Sequence, residues 1–168
     1  MDIIKKCMKK IFNEMLENAA ELCDIQEFVE AIKIYDKILD EDPKNVGALV
    51  DKAATLQRIG NNKKSLELFD LALEVSPKNV DAIIGKGSIL HALEKYDDAI
   101  NLYDLALKIN NKFALTYAYK GLALGEQGKI NDALKYFKKA LSIDKDLELA
   151  NISKETALRL LDSKKIKK

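Results

Sequence analysis

Residues 96–107 read YDDAINLYDLAL, and the same spacing of apolar residues returns three more times along the chain. The matching stretches are FVEAIKIYDKIL at 28–39, NKKSLELFDLAL at 62–73 and INDALKYFKKAL at 130–141. Each stretch begins 34 residues after the previous one, and a fixed period of this length is typical of repeat proteins. The fixed period therefore indicates a repeat protein even before single helices or strands are assigned.

The aligned repeats share several columns of similar residues. A column of small residues holds Ala31, Ser65, Ala99 and Ala133. An aromatic column holds Tyr35, Phe69, Tyr103 and Phe137. A second small column, twelve residues before the first, holds Ala19, Ala53, Gly87 and Gly121. Small residues on two facing helices allow close backbone approach, and we expect the aromatic column to fill the wider part of the interface.

Each 34-residue repeat is predicted to form two helices. In residues 80–113, apolar residues recur at three- and four-residue steps, with a short break at Glu94-Lys95. Pro43 and Pro77 mark the end of the first two repeats, because proline cannot continue a helix. We predict helix pairs at residues 12–45, 46–79, 80–113 and 114–147, all in one domain.

The two ends of the chain are predicted to extend this array. Residues 148–162 continue the columns of a first helix and are predicted to cap the repeats, and residues 163–168 form a basic tail with little apolar surface. Residues 1–11 form a basic amphipathic extension of the first helix. Its apolar stripe holds Ile3, Ile4, Cys7, Met8, Ile11, Phe12, Met15 and Leu16. The stripe suits an anionic membrane surface or the repeat core, and we expect the core.

Composition and charge argue against a nucleic-acid-binding protein and against a membrane-spanning one. The chain has 168 residues, 48% of them apolar, and a formal net charge of +1, so no overall charge attracts nucleic acid. Four lysines lie within residues 1–11 and four more within the last ten residues, which leaves an acidic body between basic ends. No apolar run is long enough to span a membrane. The two cysteines, Cys7 and Cys23, suit a reducing cytoplasm, and we expect a cytoplasmic protein.

The residues quoted above resemble the tetratricopeptide repeat (TPR) family. The matching stretches are Lys86-Gly87, residues 96–100 and residues 103–107, with close parallels at Lys120-Gly121 and residues 137–141. The resemblance covers residues 12–147. It implies an all-α fold, a right-handed superhelical solenoid of antiparallel helix pairs, with the first helices lining a concave groove.

The same resemblance implies which residues face the groove. The protein-binding or peptide-binding residues would be Leu16, Val50, Ala54, Ile84, Ser88, His91, Ala118, Leu122 and Ile152. A further stripe near the inner turn would hold Cys23, Gln57, His91, Gly125 and Arg159. Most of these side chains are apolar, and an exposed apolar strip on a protein surface usually marks a binding site. Self-occlusion or packing of a second copy is the alternative.

Some members of the family grip a C-terminal carboxylate with Lys, Asn and Arg side chains. The corresponding positions here hold Leu16, Ala20, Asp51, Asp81 and Gly85. None of these residues can bind a carboxylate, so we predict that this mode of binding is absent.

A ladder of ion pairs is predicted between successive repeats. Lys52, Lys86 and Lys120 each follow an aspartate by 16 residues. The aspartates are Asp36, Asp70 and Asp104. Each would sit on a second helix and meet the lysine of the next first helix. Independent solvated charges are the alternative.

No arrangement of residues predicts catalysis. His91 is the single histidine, and no glycine-rich phosphate loop or nucleophile motif occurs. We therefore expect no enzyme activity, no metal and no cofactor. The leading hypothesis is a cytoplasmic protein–protein interaction module or scaffold that binds a helix or peptide in an apolar groove, without binding nucleic acid. The alternative is a structural protein that forms a homo-oligomer through its terminal helices or its groove.

Overall fold

The computed structural model describes the backbone of residues 2–166 and the side chains of residues 6–163. Within that part of the chain, all regular structure is helical. The helices are α1 Asp2–Asp24, α2 Phe28–Glu41, α3 Val46–Arg58, α4 Asn62–Val75, α5 Val80–Ala92, α6 Tyr96–Ile109, α7 Ala114–Glu126, α8 Ile130–Ile143 and α9 Glu148–Ile166. The fold is an all-α helical-repeat solenoid, as the sequence predicted.

The predicted period sets the positions of the first helices. α3, α5 and α7 begin at residues 46, 80 and 114, where the repeats were predicted to begin. Asparagine side chains help to fix two of these starts: Asn45 Oδ1 accepts from the Ala48 N–H at 3.1 Å, and Asn79 Oδ1 accepts from the Ala82 N–H at 2.8 Å. Each bond satisfies a backbone donor that a helix leaves unpaired at its N-terminus.

The chain divides into two compact units, and the boundary lies between Gly85 and Lys86, within α5. The expectation that these units belong to one domain stays a prediction. In a repeat array each helix contacts mainly its neighbours along the chain, so clusters of contacts form locally and one central core does not develop. The first unit holds α1 to α4 with the start of α5, and the second holds the rest of α5 with α6 to α9.

The core of the first unit forms where small residues let two helices approach closely. Ala19 of α1 and Ala31 of α2 are completely buried beside the ring of Tyr35. In the next pair the Ser65 hydroxyl donates a 2.6 Å hydrogen bond to the carbonyl oxygen of Ala53. A side chain on α4 therefore reaches the backbone of α3, which confirms the close approach predicted from the small columns.

The core of the second unit follows the same rule. A buried cluster joins α7, α8 and α9, and Phe137 lies at its centre among Leu124, Ala133 and Ala157. Gly121 makes room for the aromatic ring, since a β-carbon there would lie 2.6 Å from a ring carbon of Phe137. The aromatic column thus fills the space that the small column leaves, as predicted.

The turn inside each helix pair uses one left-handed residue. Gln26, Gly60, Glu94 and Gly128 occupy this position with φ of 65°, 82°, 60° and 75°. After α7, the Gly128 N–H donates to the Gly125 carbonyl at 2.8 Å and the Lys129 N–H donates to the Leu124 carbonyl at 2.9 Å. This pair of bonds ends the helix in a Schellman motif, for which glycine is the favoured residue.

Both terminal helices, α1 and α9, are longer than the first helices of the inner repeats. α1 has 23 residues, against 13 for α3, so the predicted extension is continuous with the first helix. Met8 packs against the buried cluster around Phe12, whereas Cys7 and Ile11 are exposed. The side chains of Ile3, Ile4 and Lys5 lie outside the described residues.

At the other end, α9 continues to Ile166, beyond the predicted boundary at residue 162. The predicted basic tail at 163–168 therefore begins inside the helix. Lys167 and Lys168 lie outside the described residues.

Two rungs of the predicted ion-pair ladder form. Lys52 pairs with Asp36 in the first unit, and Lys120 pairs with Asp104 in the second. The Lys120 ammonium also lies 4.4 Å from the centroid of the Tyr136 ring. Burial acts to lower the pKa of Lys120, but Asp104 and Tyr136 outweigh it and raise that pKa. The pair of Asp70 with Lys86 would link one unit to the other, and it stays a prediction.

Candidate functional site

The predicted groove residues of the first unit are only partly open to solvent. Val50 and Ile84 are half-buried, and Ala54 is exposed. Leu16 is half-buried because it packs against both buried clusters of the unit, including Phe12. Leu16 therefore contributes to the core as well as to the surface, and the other three side chains are the more accessible of the predicted groove residues in this unit.

Two carboxylates lie beside these apolar positions. Asp51 follows Val50 on α3, and Asp81 lies in the first turn of α5. Burial, followed by the charge of Asp81, raises the pKa of Asp51. Within the described residues, no lysine or arginine side chain forms an ion pair with either carboxylate. The first unit therefore carries uncompensated negative charge next to apolar side chains.

Cys23 does not face the surface, contrary to its predicted place in the inner stripe. It is buried, with Sγ 3.3 Å from Thr55 Oγ1 and 3.8 Å from the Tyr35 hydroxyl. Burial, and then the contact with Cys23, raises the pKa of Tyr35. The polar atoms satisfy one another inside the unit, so this cysteine is a structural residue.

The second unit contains an apolar hollow of about 230 Å³ between α7 and α9. Leu122 and Gly125 of α7 form one wall, and Ile152, Thr156 and Leu160 of α9 form the other. Ile152 is 57% exposed, so the hollow opens to solvent. The predicted groove residues Leu122 and Ile152 thus come together in one site.

The floor of the hollow comes from α8 and from the buried side of α9. Ala133, Phe137 and Ala157 line it, and all three belong to the buried cluster of the unit. Their side chains leave space because Gly125 and Ala133 face each other: a β-carbon at Gly125 would lie 3.9 Å from that of Ala133. A packed floor under an open apolar cleft makes the site concave and mostly apolar, as binding sites in proteins usually are.

The edge of this hollow is acidic. Glu126 ends α7 and lines the hollow, and it lies close enough to Tyr96 to act on it electrostatically. Burial, followed by the charges of Glu94 and Glu126, raises the pKa of Tyr96. Asp97 accepts a 2.7 Å hydrogen bond from Gln127 Nε2, which places the start of α6 beside the end of α7. One carboxylate, that of Glu126, therefore lines the apolar hollow at the end of α7.

Three other predicted groove residues do not line the hollow. Ala118 was predicted to be at the surface, and this was wrong: it is completely buried, in a cluster with Ala140 of α8 and Ala150 of α9. Three alanines allow these helices to close over it. Ser88 and His91 are half-buried on α5, and the His91 ring lies 5.5 Å from the ring of Tyr96.

The sequence analysis missed Glu126, Phe137 and Leu160 as parts of the site. Phe137 was assigned to the core, where it also belongs, and Leu160 lay at the end of the predicted cap. Glu126 and Leu160 could have been found from the repeat, because they are 34 residues apart and so occupy the same column of the aligned repeats. This column lies one residue beyond the stripes that were considered.

Other types of site were searched for in the same part of the chain. Among the described residues, no three His, Cys, Asp or Glu side chains converge in a way that could hold a metal ion. No described helix combines the length and the apolar character that crossing a membrane requires.

Comparison with protein families gives two matches in the second half of the chain. A family model described as "Tetratricopeptide repeat" matches residues 114–147. A second, described as "TPR repeat", matches residues 87–128. Among proteins with curated descriptions, none matches the chain.

Solved structures with this fold include several repeat proteins. PilF of Pseudomonas aeruginosa has a TM-score of 0.85 at 17% identity, over 93% of this chain and 71% of that one. A thermophilic TPR protein of Thermus thermophilus has a TM-score of 0.80 at 17% identity, over 89% and 82%. The first TPR of Spaghetti (RPAP3), bound to the HSP90 peptide SRMEEVD, has a TM-score of 0.67 at 18% identity, over 72% and 96%.

These structures show that the chain has the same fold as known repeat proteins. The two family models show that part of its sequence matches the tetratricopeptide repeat pattern. The helix pairs, the 34-residue period and the packing of an aromatic column against small residues agree with both. Residues 87–147 therefore match the tetratricopeptide repeat family, and the fold of the described residues agrees with that assignment.

Proposed function

We propose that this protein is a non-enzymatic interaction module whose first helices bind a helix or an extended peptide of another protein. The observation that carries the proposal is the apolar hollow between α7 and α9, which is open to solvent and lined by Leu122 and Ile152. A related fold bound to a peptide, the first TPR of Spaghetti, supports peptide binding as a use of this architecture.

The proposed partner differs from the peptide that Spaghetti binds. That peptide, SRMEEVD, ends in three acidic residues and one valine. The first unit of this protein holds Asp51 and Asp81 next to its apolar positions, and Glu126 lies at the hollow of the second. Carboxylates on both sides would repel each other, so an acidic C-terminal peptide is a poor ligand here.

The α1 extension favours a second candidate function, self-association. Ile11 is 48% exposed on this extension and directly follows the basic residues Lys9 and Lys10. A second copy could cover this apolar position. Sedimentation equilibrium over a range of concentrations separates the candidates, because self-association gives a mass that rises with concentration and a monomeric binding module does not.

The proposed function can be tested by capture from a lysate of the source cell with matched surface variants. Ile152→Glu places a charge at the hollow of the second unit, and Val50→Glu/Ile84→Glu does so in the first. Leu105→Glu is the control. Leu105 is 42% exposed, but it lies on α6, which is the second helix of its repeat and is not part of the proposed binding surface. Circular dichroism first establishes that each variant is folded.

The expected result is a partner that wild type and Leu105→Glu capture and that at least one first-helix variant loses. Equal capture by all four proteins would place the binding site elsewhere on the molecule. Capture of the protein itself and nothing else would favour the self-association candidate.

A further inference from the structure

We propose that the hollow between α7 and α9 binds a cationic amphipathic segment of another protein, whose large apolar side chain enters the hollow while a lysine or arginine one helical turn away meets Glu126. This inference rests on the proposed function and specifies the chemistry of its partner.

The shape of the hollow selects the apolar part of the segment. Its volume of about 230 Å³ accommodates one large side chain such as leucine or phenylalanine, and its walls are Leu122 on α7 with Ile152 and Leu160 on α9. Both α9 residues keep substantial exposed apolar surface, 57% for Ile152 and 46% for Leu160. Covering this surface with an apolar side chain removes it from water, which is the main favourable term in such binding.

The charge around the hollow selects the rest of the segment. Among the described residues that line it, Glu126 is the one that carries a charge. Glu126 is exposed at the end of α7, so its carboxylate lies at one edge of the hollow. A cation placed over this edge would be attracted to that carboxylate, whereas an acidic segment would be repelled by it.

Two basic side chains of the same unit, Arg159 and Lys129, bind other partners. Arg159 of α9 lies 3.9 Å from Glu155, one turn earlier on the same helix. Lys129 donates a 2.8 Å hydrogen bond to Gln127 Oε1. Within the described residues, neither forms an ion pair with Glu126, so its carboxylate stays available to a partner.

The first unit gives an independent indication of the same preference. Asp51 and Asp81 lie beside Val50 and Ile84, so apolar and acidic groups are again adjacent. The first unit therefore also carries acidic groups on the helices that hold its accessible predicted groove residues, which agrees with a preference for a basic and apolar segment.

The test uses the whole protein and four labelled helical peptides of about 14 residues. The first peptide has leucines on one face and lysines on the other. The second replaces every lysine by glutamate, the third replaces every lysine by glutamine, and the fourth keeps the lysines but replaces the leucines by serine. Fluorescence anisotropy measures binding of each peptide at low and at high salt.

Two variants test the site itself. Gly125→Leu fills the hollow from inside, and its β-carbon makes only an ordinary contact with Ala133 at 3.9 Å, so the helix is expected to stay folded. Glu126→Lys reverses the charge of the edge. Asp146→Asn is the matched control, because Asp146 is an exposed acid in the loop before α9 and does not line the hollow. Thermal unfolding of each variant checks the fold.

The proposal predicts that the leucine–lysine peptide binds more tightly than the other three and that high salt weakens it. Gly125→Leu is expected to weaken binding about tenfold or more, because one buried leucine is lost. Glu126→Lys is expected to weaken it about threefold or more at low salt, and Asp146→Asn to leave it unchanged.

The other outcomes overturn the proposal in distinguishable ways. Tighter binding of the glutamate or the glutamine peptide would refute the charge preference and leave the proposed function standing. Absence of binding by every amphipathic peptide would count against both. Lysine-peptide binding that Gly125→Leu does not affect would place the site elsewhere. A protein that dimerises, and becomes monomeric in Gly125→Leu, would make a second copy the occupant.

Discussion

Replacing Gly128 by alanine is expected to destabilise the second unit, although nothing stands in the way of the added methyl group. Gly128 has φ of 75°, and a β-carbon there would have no neighbour within 4 Å. Alanine in the left-handed region costs about 1–2 kcal/mol, and the lower flexibility of the unfolded chain returns about 0.5–1 kcal/mol. The net loss is therefore about 0.5–1 kcal/mol.

The same substitution three residues earlier is expected to have the opposite effect. Gly125 lies inside α7, and its added β-carbon would make an ordinary contact at 3.9 Å with Ala133. Alanine is favoured over glycine in a helix by about 1 kcal/mol, so Gly125→Ala is expected to stabilise the unit. The two variants add the same methyl group without a steric clash, and the main difference between them is the backbone conformation at the substituted residue.

The converse change completes the comparison. Glu94 occupies the equivalent turn with φ of 60°, where a side chain is strained. Glu94→Gly is expected to raise stability by about 0.5–1 kcal/mol, because relief of strain outweighs the added freedom of the unfolded chain. Gln26→Gly makes the same test in the first unit, at φ of 65°.

Urea unfolding followed by circular dichroism measures these differences as shifts of midpoint at constant slope. Gly128→Ala should lower the midpoint, and Gly125→Ala and Glu94→Gly should raise it. If Gly128→Ala and Gly125→Ala moved the midpoint in the same direction, the left-handed turn would not control stability. If Glu94→Gly lowered it, the Glu94 side chain would stabilise the turn by more than its strain costs.

Three further predictions concern packing and charge. Gly121→Ala is expected to cost about 1–3 kcal/mol, measured by urea unfolding, because the Phe137 ring must move from the new methyl group. Asp104→Asn leaves the Lys120 ammonium, with its side chain 9% exposed, without its charged partner. The expected loss is about 1–3 kcal/mol, larger than for the same change in the more exposed pair of the first unit. Asp51→Asn is expected to stabilise the first unit at neutral pH, because the raised pKa of Asp51 means that its ionised form opposes folding. That gain should vanish below pH 3.8, where the carboxyl is protonated both folded and unfolded, and unfolding curves at the two pH values test this.

The sequence predicted the fold closely because its period carries most of the information. The starts of α3, α5 and α7 follow from the repeat alone, and the small and aromatic columns predicted which side chains meet. The division between Gly85 and Lys86 has no counterpart in the sequence pattern, because periodicity describes each repeat equally. The end of α9 was placed too early, since its last residues are polar and give no apolar pattern.

The candidate site was less predictable than the fold. The 34-residue register of the repeats placed Leu122 and Ile152 on one surface. It could not show that Ala118, which was predicted to share that surface, is buried. Burial there depends on the sizes of residues from other helices. The depth of the hollow likewise depends on Gly125 and on the floor residue Phe137, which belongs to a second helix. Such properties arise from three helices together, and a pattern along one helix does not contain them.

The contact of Cys23 with Thr55 and Tyr35 also gives the first unit a built-in reporter of its own motions. Cys7 is exposed and should react with a thiol reagent at once, whereas Cys23 is buried and must wait for the helices around it to separate. The ratio of the two labelling rates then measures the free energy of that local opening in the native protein, without an added probe. Thiol labelling can thus measure whether partner binding makes the separation of α1 and α2 less favourable.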